Sequence, residues 1–328
     1  MKTIVYSAHK FEKQHLIDAN GDKHELVLLE IPLNKESAYL AKGANAVSIF
    51  VNDDASEEVL TILHEAGVRF IALRSAGFNH VKADFAKNMG MRLARVSAYS
   101  PYAVAEHALA LMLTLNRNII RANSRVRDLN FSLEGLTGFD MNGKTIGILG
   151  TGEIGAVMTK ILHGFGCKML AFDQVEDKDL IEKYGLVYTD LPTIYREADI
   201  VTLHLPLTPD TKYVINKESV DQMKRGVMLI NTSRGGLVNT KDVIDGLKSG
   251  KIGYLGLDVY EQESGLFFED HSENILQDDI LSRLLTFKNV LITSHQAFLT
   301  DTALQNIAET TIYNLDCFAK GIACENEL

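Results

Sequence analysis

The chain has 328 residues, 46% of them apolar and 23% charged, with a formal net charge of −10. That length accommodates two domains with separate cores, and the composition is that of an ordinary globular protein. The acidic balance, with no Lys/Arg-rich run, argues against a nucleic-acid partner, and no apolar run is long enough for a membrane span.

The N-terminus, MKTIVYSAHK, enters a strand pattern directly and lacks a signal peptide's apolar core and cleavage site. Cys167, Cys317 and Cys324 form no CxxC and no paired spacing, so they read as the reduced thiols of a cytoplasmic protein. The ten histidines are scattered and show no metal-ligand spacing, so no metal is expected.

Residues 1–98 read as a first α/β unit. TIVYS, ELVLLE, AVSIFV and RFIALRS are short apolar runs of strand type, and ASEEVLTILHEAG from Ala55 to Gly67 is the clearest helix between them. The turn after the fourth run, Ser75-Ala76-Gly77-Phe78-Asn79-His80, is rich in small residues. Ligands of open α/β sheets bind beyond the carboxyl ends of strands, so Ala76 and Gly77 are candidates for backbone N–H contacts to an anion. A plain turn that uses Gly77 for its conformational freedom remains open. A fifth run, RLARV, leads to Ala98 and Tyr99.

Ser100 and Pro101 have the character of an N-cap and a first helical residue. The run AVAEHALALMLTLNRNIIRAN then reads as one long, largely buried helix leading into a second unit, with His107 as a hydrogen-bonded structural residue.

The segment Lys144 to Asp173 is a complete βαβ dinucleotide fingerprint. KTIGILG is a buried parallel strand, and Gly150, Gly152 and Gly155 form a G-x-G-x-x-G that also contains Glu153 and Ile154. Apolar residues from Ile154 to Phe165 recur at helical spacing, and the strand KMLAF ends at Asp173. The helix start suits a pyrophosphate, and a carboxylate at Asp173 suits ribose hydroxyls and repels a 2′-phosphate, which favours NAD over NADP. Glu153 brings a negative charge to the phosphate end of the motif.

Further strands are expected at 199–204, 227–231, 252–257 and 289–294, and a last helix at 303–320. Pro206 and Pro209 mark the loop after the first of these, which would border a cofactor. Thr232-Ser233-Arg234-Gly235-Gly236 follows VMLIN. A planar guanidinium at a strand tip can hold a carboxylate bidentately, although a surface arginine paired to a local acid would look the same. Asp258 and then Glu261 and Glu263 follow IGYLGL, and His295 follows NVLITS. Imidazole is the natural donor and acceptor of a hydride-coupled proton near neutrality, and a carboxylate beside it would stabilise the imidazolium. A core histidine satisfied by backbone groups remains the plainer alternative. The stretch Phe268 to Asp279 reads as a solvated acidic loop.

The combination GTGEIG, VMLINTSRGG, LGLDVYEQE and SHQAF resembles the NAD-dependent D-2-hydroxyacid dehydrogenases over the whole chain. RSAGFNHV, AYSPYAVAEHALALMLTLNR, FSLEGLTGFDMNGKT and LFFEDHSENILQDD look like the D-lactate dehydrogenase branch of fermenting bacteria. The resemblance implies that Arg234 clamps the substrate carboxylate and carbonyl, that His295 is the proton donor, and that Glu263 pairs with it. It implies substrate contacts from Ala76, Gly77, Tyr99 and Phe298. NAD contacts would come from Glu153, Ile154, Asp173, Leu205, Pro206, Thr232, Ser233 and Asp258. Two departures are Gln174 after Asp173, where a proline is common, and Ser294 before His295, where proline or glycine is more usual.

The chain is therefore expected to be a two-domain α/β protein. Residues 99–298 would form a Rossmann-type doubly wound NAD domain. Residues 1–98 with 299–328 would form a smaller flavodoxin-like substrate domain. The expected reaction is the reversible reduction of pyruvate to D-lactate, in a homodimer or homotetramer. Two rivals stay open: a larger 2-keto acid as substrate, or an NAD-sensing binding protein with no turnover.

Overall fold

The computed structural model describes residues 1–328 and divides into two compact units, Met1–Ser100 with Phe298–Leu328, and Pro101–Ala297. No helix is long and apolar enough to cross a membrane.

The first unit is built on five strands, β1 (Lys2–Val5), β2 (Glu25–Leu28), β3 (Ala46–Ile49), β4 (Phe70–Leu73) and β5 (Arg92–Ala94), in the order β2-β1-β3-β4-β5. All neighbours pair in parallel, and this 2-1-3-4-5 order is the flavodoxin-like one. Burial of all four residues of β3 explains why the sequence shows a continuous apolar run rather than alternation: both faces of the sheet are covered. The last helix, Asp301–Lys320, belongs to this unit and buries Ile312, Leu315 and Phe318 beside Ala46, Ala72 and Ala94. Charged side chains are buried in this unit too, among them Glu12, Asp53 and Arg74. Arg74, 1% exposed, pairs with Glu12 and donates to Ser48 Oγ and to the carbonyls of Tyr6 and Ser7. Removing one partner of such a pair strands the other, at a cost of about 3–5 kcal/mol.

The second unit carries seven parallel strands: β6 (Thr145–Leu149), β7 (Lys168–Phe172), β8 (Val187–Tyr188), β9 (Ile200–Leu203), β10 (Val227–Asn231), β11 (Ile252–Leu257) and β12 (Val290–Ile292). Their order is β12-β11-β10-β9-β6-β7-β8, so the direction of winding reverses between β6 and β9. The register aligns Phe172, Leu149, Leu203, Asn231, Leu257 and Ile292 in one transverse row. The residues that follow that row, Asp173, Gly150, His204, Thr232, Asp258 and Thr293, leave the sheet at a single edge. Ligands of such sheets bind at that edge, beside the switch point.

Two expectations are corrected, and one strand is added. The long helix breaks into Pro101–Asn116 and Ile119–Arg127, because Asn118 takes a left-handed backbone with φ +52°, a conformation asparagine tolerates well. The short strand β8 gives no periodic signal at two residues. The stretch 268–279 is not wholly solvated: Phe268 packs on the core of the second unit, and the Asp278 carboxylate accepts the Tyr260 hydroxyl and caps the helix Asp279–Leu285.

Candidate active site

Each fingerprint glycine has its own reason. Gly150 has φ +96°, and a Cβ there would stand 2.6 Å from the His204 carbonyl oxygen. A Cβ on Gly155 would stand 2.0 Å from the Gly150 carbonyl oxygen. At Gly152, by contrast, no protein atom lies within 4 Å of the added Cβ. Packing dictates the first two glycines, whereas Gly152 has open space against its backbone, which the approach of a pyrophosphate requires. The helix Glu153–Gly164 begins there, with its first N–H groups directed outward. Glu153 is exposed on the first turn, where the helix dipole favours an acid, and Ile154 packs partly on the core.

Asp173 stands at the tip of β7. Its Oδ2 accepts the Thr151 N–H at 2.6 Å and the Thr151 hydroxyl at 3.1 Å, and its Oδ1 accepts the Val175 N–H at 3.3 Å. Burial pushes its carboxyl up, but these bonds outweigh that and hold it below the usual carboxylate range. Asp173 therefore ties down the fingerprint turn as well as presenting a charged acceptor. Loss of a charged hydrogen-bond acceptor is worth about 1.5–3 kcal/mol, so Asp173→Ser should narrow the NADH/NADPH ratio of kcat/KM by about tenfold to a hundredfold. An unchanged ratio in steady-state assays would mean that Asp173 does not read the ribose.

Across the switch point, Leu205 is buried and its carbonyl accepts the Ser233 hydroxyl at 2.6 Å, while Pro206 is exposed. Two buried polar atoms in this region lack any partner, His204 Nδ1 and Thr232 Oγ1. Unsatisfied polar atoms cost free energy, and both belong to residues that leave the sheet at its ligand-binding edge, which suits a polar cofactor such as NAD. Burial pushes the His204 imidazole down to about 4. The unfolded chain takes up this proton near 6.5 and the folded chain refuses it. Stability is therefore full above about pH 6.5 and falls on acidification towards pH 4, by roughly 3 kcal/mol. His204→Gln should flatten this part of the urea-midpoint profile between pH 7 and 4.5, and a slope equal to wild type would contradict it.

The remaining site residues come from β10, β11 and β12. Asn231 ends β10 fully buried; its Nδ2 donates to the Arg234 carbonyl at 2.8 Å and its Oδ1 accepts the Ser233 N–H. Arg234 is half-buried, with Nη1 on the Ser233 carbonyl at 2.7 Å. The next residue must be small, since a Cβ on Gly235 would stand 2.1 Å from the Tyr260 carbonyl carbon. Two strand spacings away, about 10 Å by sheet geometry, β12 leads to His295.

His295 has φ +48°, an uncommon conformation for a residue with a Cβ. It is held there by Asp258, whose carbonyl accepts the His295 N–H at 2.7 Å. The Asp258 carboxylate accepts the Gln296 and Ala297 N–H groups at 2.9 and 2.8 Å and the Thr293 hydroxyl, and Thr293 in turn accepts from His107 Nε2 at 3.0 Å. Burial pushes the Asp258 carboxyl up, but the bonds from His107, Thr293, Ala297 and Gln296 outweigh it and keep it low. Asp258 thus braces the histidine loop, a role that its sequence position, read as a cofactor contact, does not reveal. His107 is hydrogen-bonded, in keeping with its structural reading. His295 Nδ1 lies 2.8 Å from Glu263 Oε1, and Glu263 Oε2 accepts the Tyr260 N–H. A carboxylate only accepts, so Nδ1 carries the hydrogen and Nε2 is the atom left for proton exchange.

In the first unit, Ala76 and Gly77 follow β4. The Ser75 hydroxyl donates to the Gly77 carbonyl at 2.8 Å, and Arg95 Nη1 donates to the Ala76 carbonyl at 3.0 Å. Phe298 meets Tyr99, Phe11 and Phe50 with ring centroids 6.2–6.3 Å apart. Sequence reasoning missed Phe11, Phe50 and the braces Asn231 and Thr293. The signal for Asn231 was a lone polar residue closing an apolar strand.

Residues 109–297 match the family model described as D-isomer specific 2-hydroxyacid dehydrogenase, NAD binding domain. The chain is 51% identical to a D-lactate dehydrogenase of Escherichia coli (strain K12), with all of both chains covered. It is also similar to the apo structure of D-lactate dehydrogenase from Escherichia coli, with a TM-score of 0.91 at 49% identity and full coverage of both chains. A third relative is the D-lactate dehydrogenase from Aquifex aeolicus solved with NAD and lactic acid. The TM-score there is 0.88 at 35% identity, covering 97% of this chain and 96% of that one.

Proposed function

The chain belongs to the D-isomer specific 2-hydroxyacid dehydrogenases, and from that premise we propose that it reduces pyruvate reversibly to D-lactate. Like its family it is an NAD-dependent oxidoreductase. The observation that carries the reading is the His295–Glu263 pair on the sheet edge that also carries Arg234 and the fingerprint.

When bound, the nicotinamide supplies the hydride. Arg234 holds the substrate carboxylate with its planar fork and draws charge from the neighbouring carbonyl. His295, its Nδ1 hydrogen held by Glu263, keeps the transferable proton on Nε2 and gives it to the ketone oxygen as that oxygen gains charge. In the reverse direction the same atom takes the hydroxyl proton. Gly152 and the N–H groups of Glu153 and Ile154 receive the pyrophosphate on a turn that Gly150 and Gly155 allow to pack, Asp173 takes the ribose, and Leu205, Pro206, Thr232, Ser233 and Asp258 complete the cofactor contacts. Met1–Ser100 with Phe298–Leu328 serves as the substrate unit. The family resemblance assigns its Ala76 and Gly77 N–H groups, Tyr99 and Phe298 to substrate contact.

The name of the Escherichia coli relative supports pyruvate over larger 2-keto acids. A steady-state comparison of pyruvate, 2-ketobutyrate and 2-ketoisocaproate tests this. The highest kcat/KM belongs to pyruvate on this reading, and a preference for 2-ketoisocaproate would overturn it. Tight NADH binding with no turnover on any of the three would instead mark a sensor.

The helix Ile119–Arg127 buries none of its residues, and Ile119, Ile120, Val126, Leu129, Phe131 and Leu133 are all exposed in one segment. Such a concentration of apolar surface suits a subunit contact, and it supports a homodimer or homotetramer, checked by the mass in sedimentation equilibrium. The three cysteines form no disulfide, which suits the cytoplasm.

A further inference from the structure

We infer that Phe268 is a positioning residue that holds the His295 imidazole in its working orientation. The inference rests on the acid–base reading of His295 given above.

The loop after β11 carries both of the groups that grip the imidazole. Glu263 takes the Nδ1 edge. The Glu263 carbonyl then accepts the N–H groups of Leu266 and Phe267 at 3.0 and 2.9 Å, and Gly265, with φ +73°, turns the chain between them. Phe267 is buried in the core of the second unit and anchors this turn. Phe268 follows with φ +69°, and its ring centroid lies 5.8 Å from that of His295 at an interplanar angle of 38°.

Six residues other than glycine have positive φ, and two of them, Phe268 and His295, meet here ring to ring. An aromatic residue in the left-handed region is a real outlier, because its Cβ crowds the following backbone; a glycine or asparagine would sit there with less strain. Surrounding packing must hold such a residue in place, and strain of this kind concentrates where function depends on the conformation. The function open to Phe268 follows from its neighbour. An imidazole held by a single hydrogen bond at Nδ1 still tilts about its Cβ–Cγ bond, and each tilt moves Nε2. A ring packed on the imidazole restricts that tilt and shields it from water. Phe268 thus acts through His295, so its loss should appear in turnover and not in cofactor affinity.

The sequence hides this residue. Phe268 sits at the start of a strongly acidic stretch, FEDHSENILQDD, in which hydropathy predicts solvent exposure.

The experiment uses the full-length protein saturated with NADH, and compares wild type with F268G, F268Y and H295Q. Glycine suits φ +69°, so F268G keeps the loop conformation and removes only the ring; thermal unfolding verifies that it folds. F268G is expected to lose about tenfold in kcat for pyruvate, by analogy with the cost of small misplacements of reacting groups. Its KM for pyruvate and Kd for NADH stay within about twofold of wild type, since binding groups are left in place. The downfield Nδ1 proton resonance of His295 broadens in F268G and returns in F268Y, together with at least half of kcat. Wild-type kcat in F268G, or a loss in F268Y equal to that in F268G, overturns the inference. If H295Q itself turns over at the wild-type rate, the acid–base reading fails. If H295Q is inactive while F268G is fully active, only the role of Phe268 fails.

Discussion

Replacing His295 by glutamine lowers kcat for pyruvate by about 10²–10⁴-fold and leaves the Kd for NADH within about threefold of wild type. The size of the effect follows from what the imidazole does. A ketone oxygen that gains charge in water finds a proton from solvent, but in a site it depends on a placed donor. Glu263 bonds Nδ1 at 2.8 Å, so Nε2 is the only ring nitrogen available. Glutamine matches much of the shape and can donate a hydrogen bond, yet it cannot transfer a proton. Cofactor affinity is spared because the fingerprint turn, Asp173 and the Leu205–Ser233 contact lie on β6, β7, β9 and β10, away from β12. Stopped-flow reduction and fluorescence titration with NADH separate the two quantities. A fall in NADH affinity that accounts for the whole loss would move His295 from the chemistry to the cofactor pocket.

Arg234→Lys is the second large effect, and it takes a different form. Lysine keeps the charge but loses the planar fork that holds a carboxylate through two parallel bonds. Charge-assisted hydrogen bonds contribute about 1.5–3 kcal/mol each, so the loss of one bond lowers kcat/KM for pyruvate by about tenfold to a hundredfold, mostly through KM. Guanidinium ion added to an Arg234→Ala variant should restore part of the activity, because that variant leaves space for a free fork. The backbone here is well determined: Asn231 holds the Arg234 carbonyl, and Gly235 passes too close to Tyr260 for any side chain. A lysine variant with unchanged KM would show that Arg234 does not hold the substrate.

Much of this architecture is legible in the chain itself, for physical reasons. Parallel strands buried on both faces are continuous apolar runs, so VMLIN and IGYLGL declare themselves, and the polar residues just beyond them fall at the sheet edge by necessity. Arg234 and His295 were accessible to reasoning on that account. What hydropathy cannot show is the conformation of single residues. The helix break at Asn118 leaves the apolar pattern on either side intact, so only the left-handed backbone reveals it. Asp258 reads as one more acid after a strand, whereas its carboxylate binds N–H groups 38 and 39 residues away at Gln296 and Ala297. Asp173 likewise reads as a ribose contact alone, and its tie to Thr151 depends on the closeness of β6 and β7. In each case the missing information is a long-range hydrogen bond made by a residue whose local pattern is ordinary.

The most direct test of the account is the reaction itself. Purified protein is mixed with NADH and pyruvate, oxidation is followed at 340 nm, and the product is resolved on a chiral column. The expected result is one D-lactate formed per NADH consumed, with turnover lost in the His295→Gln protein. Formation of L-lactate, or tight NADH binding without oxidation, would contradict it.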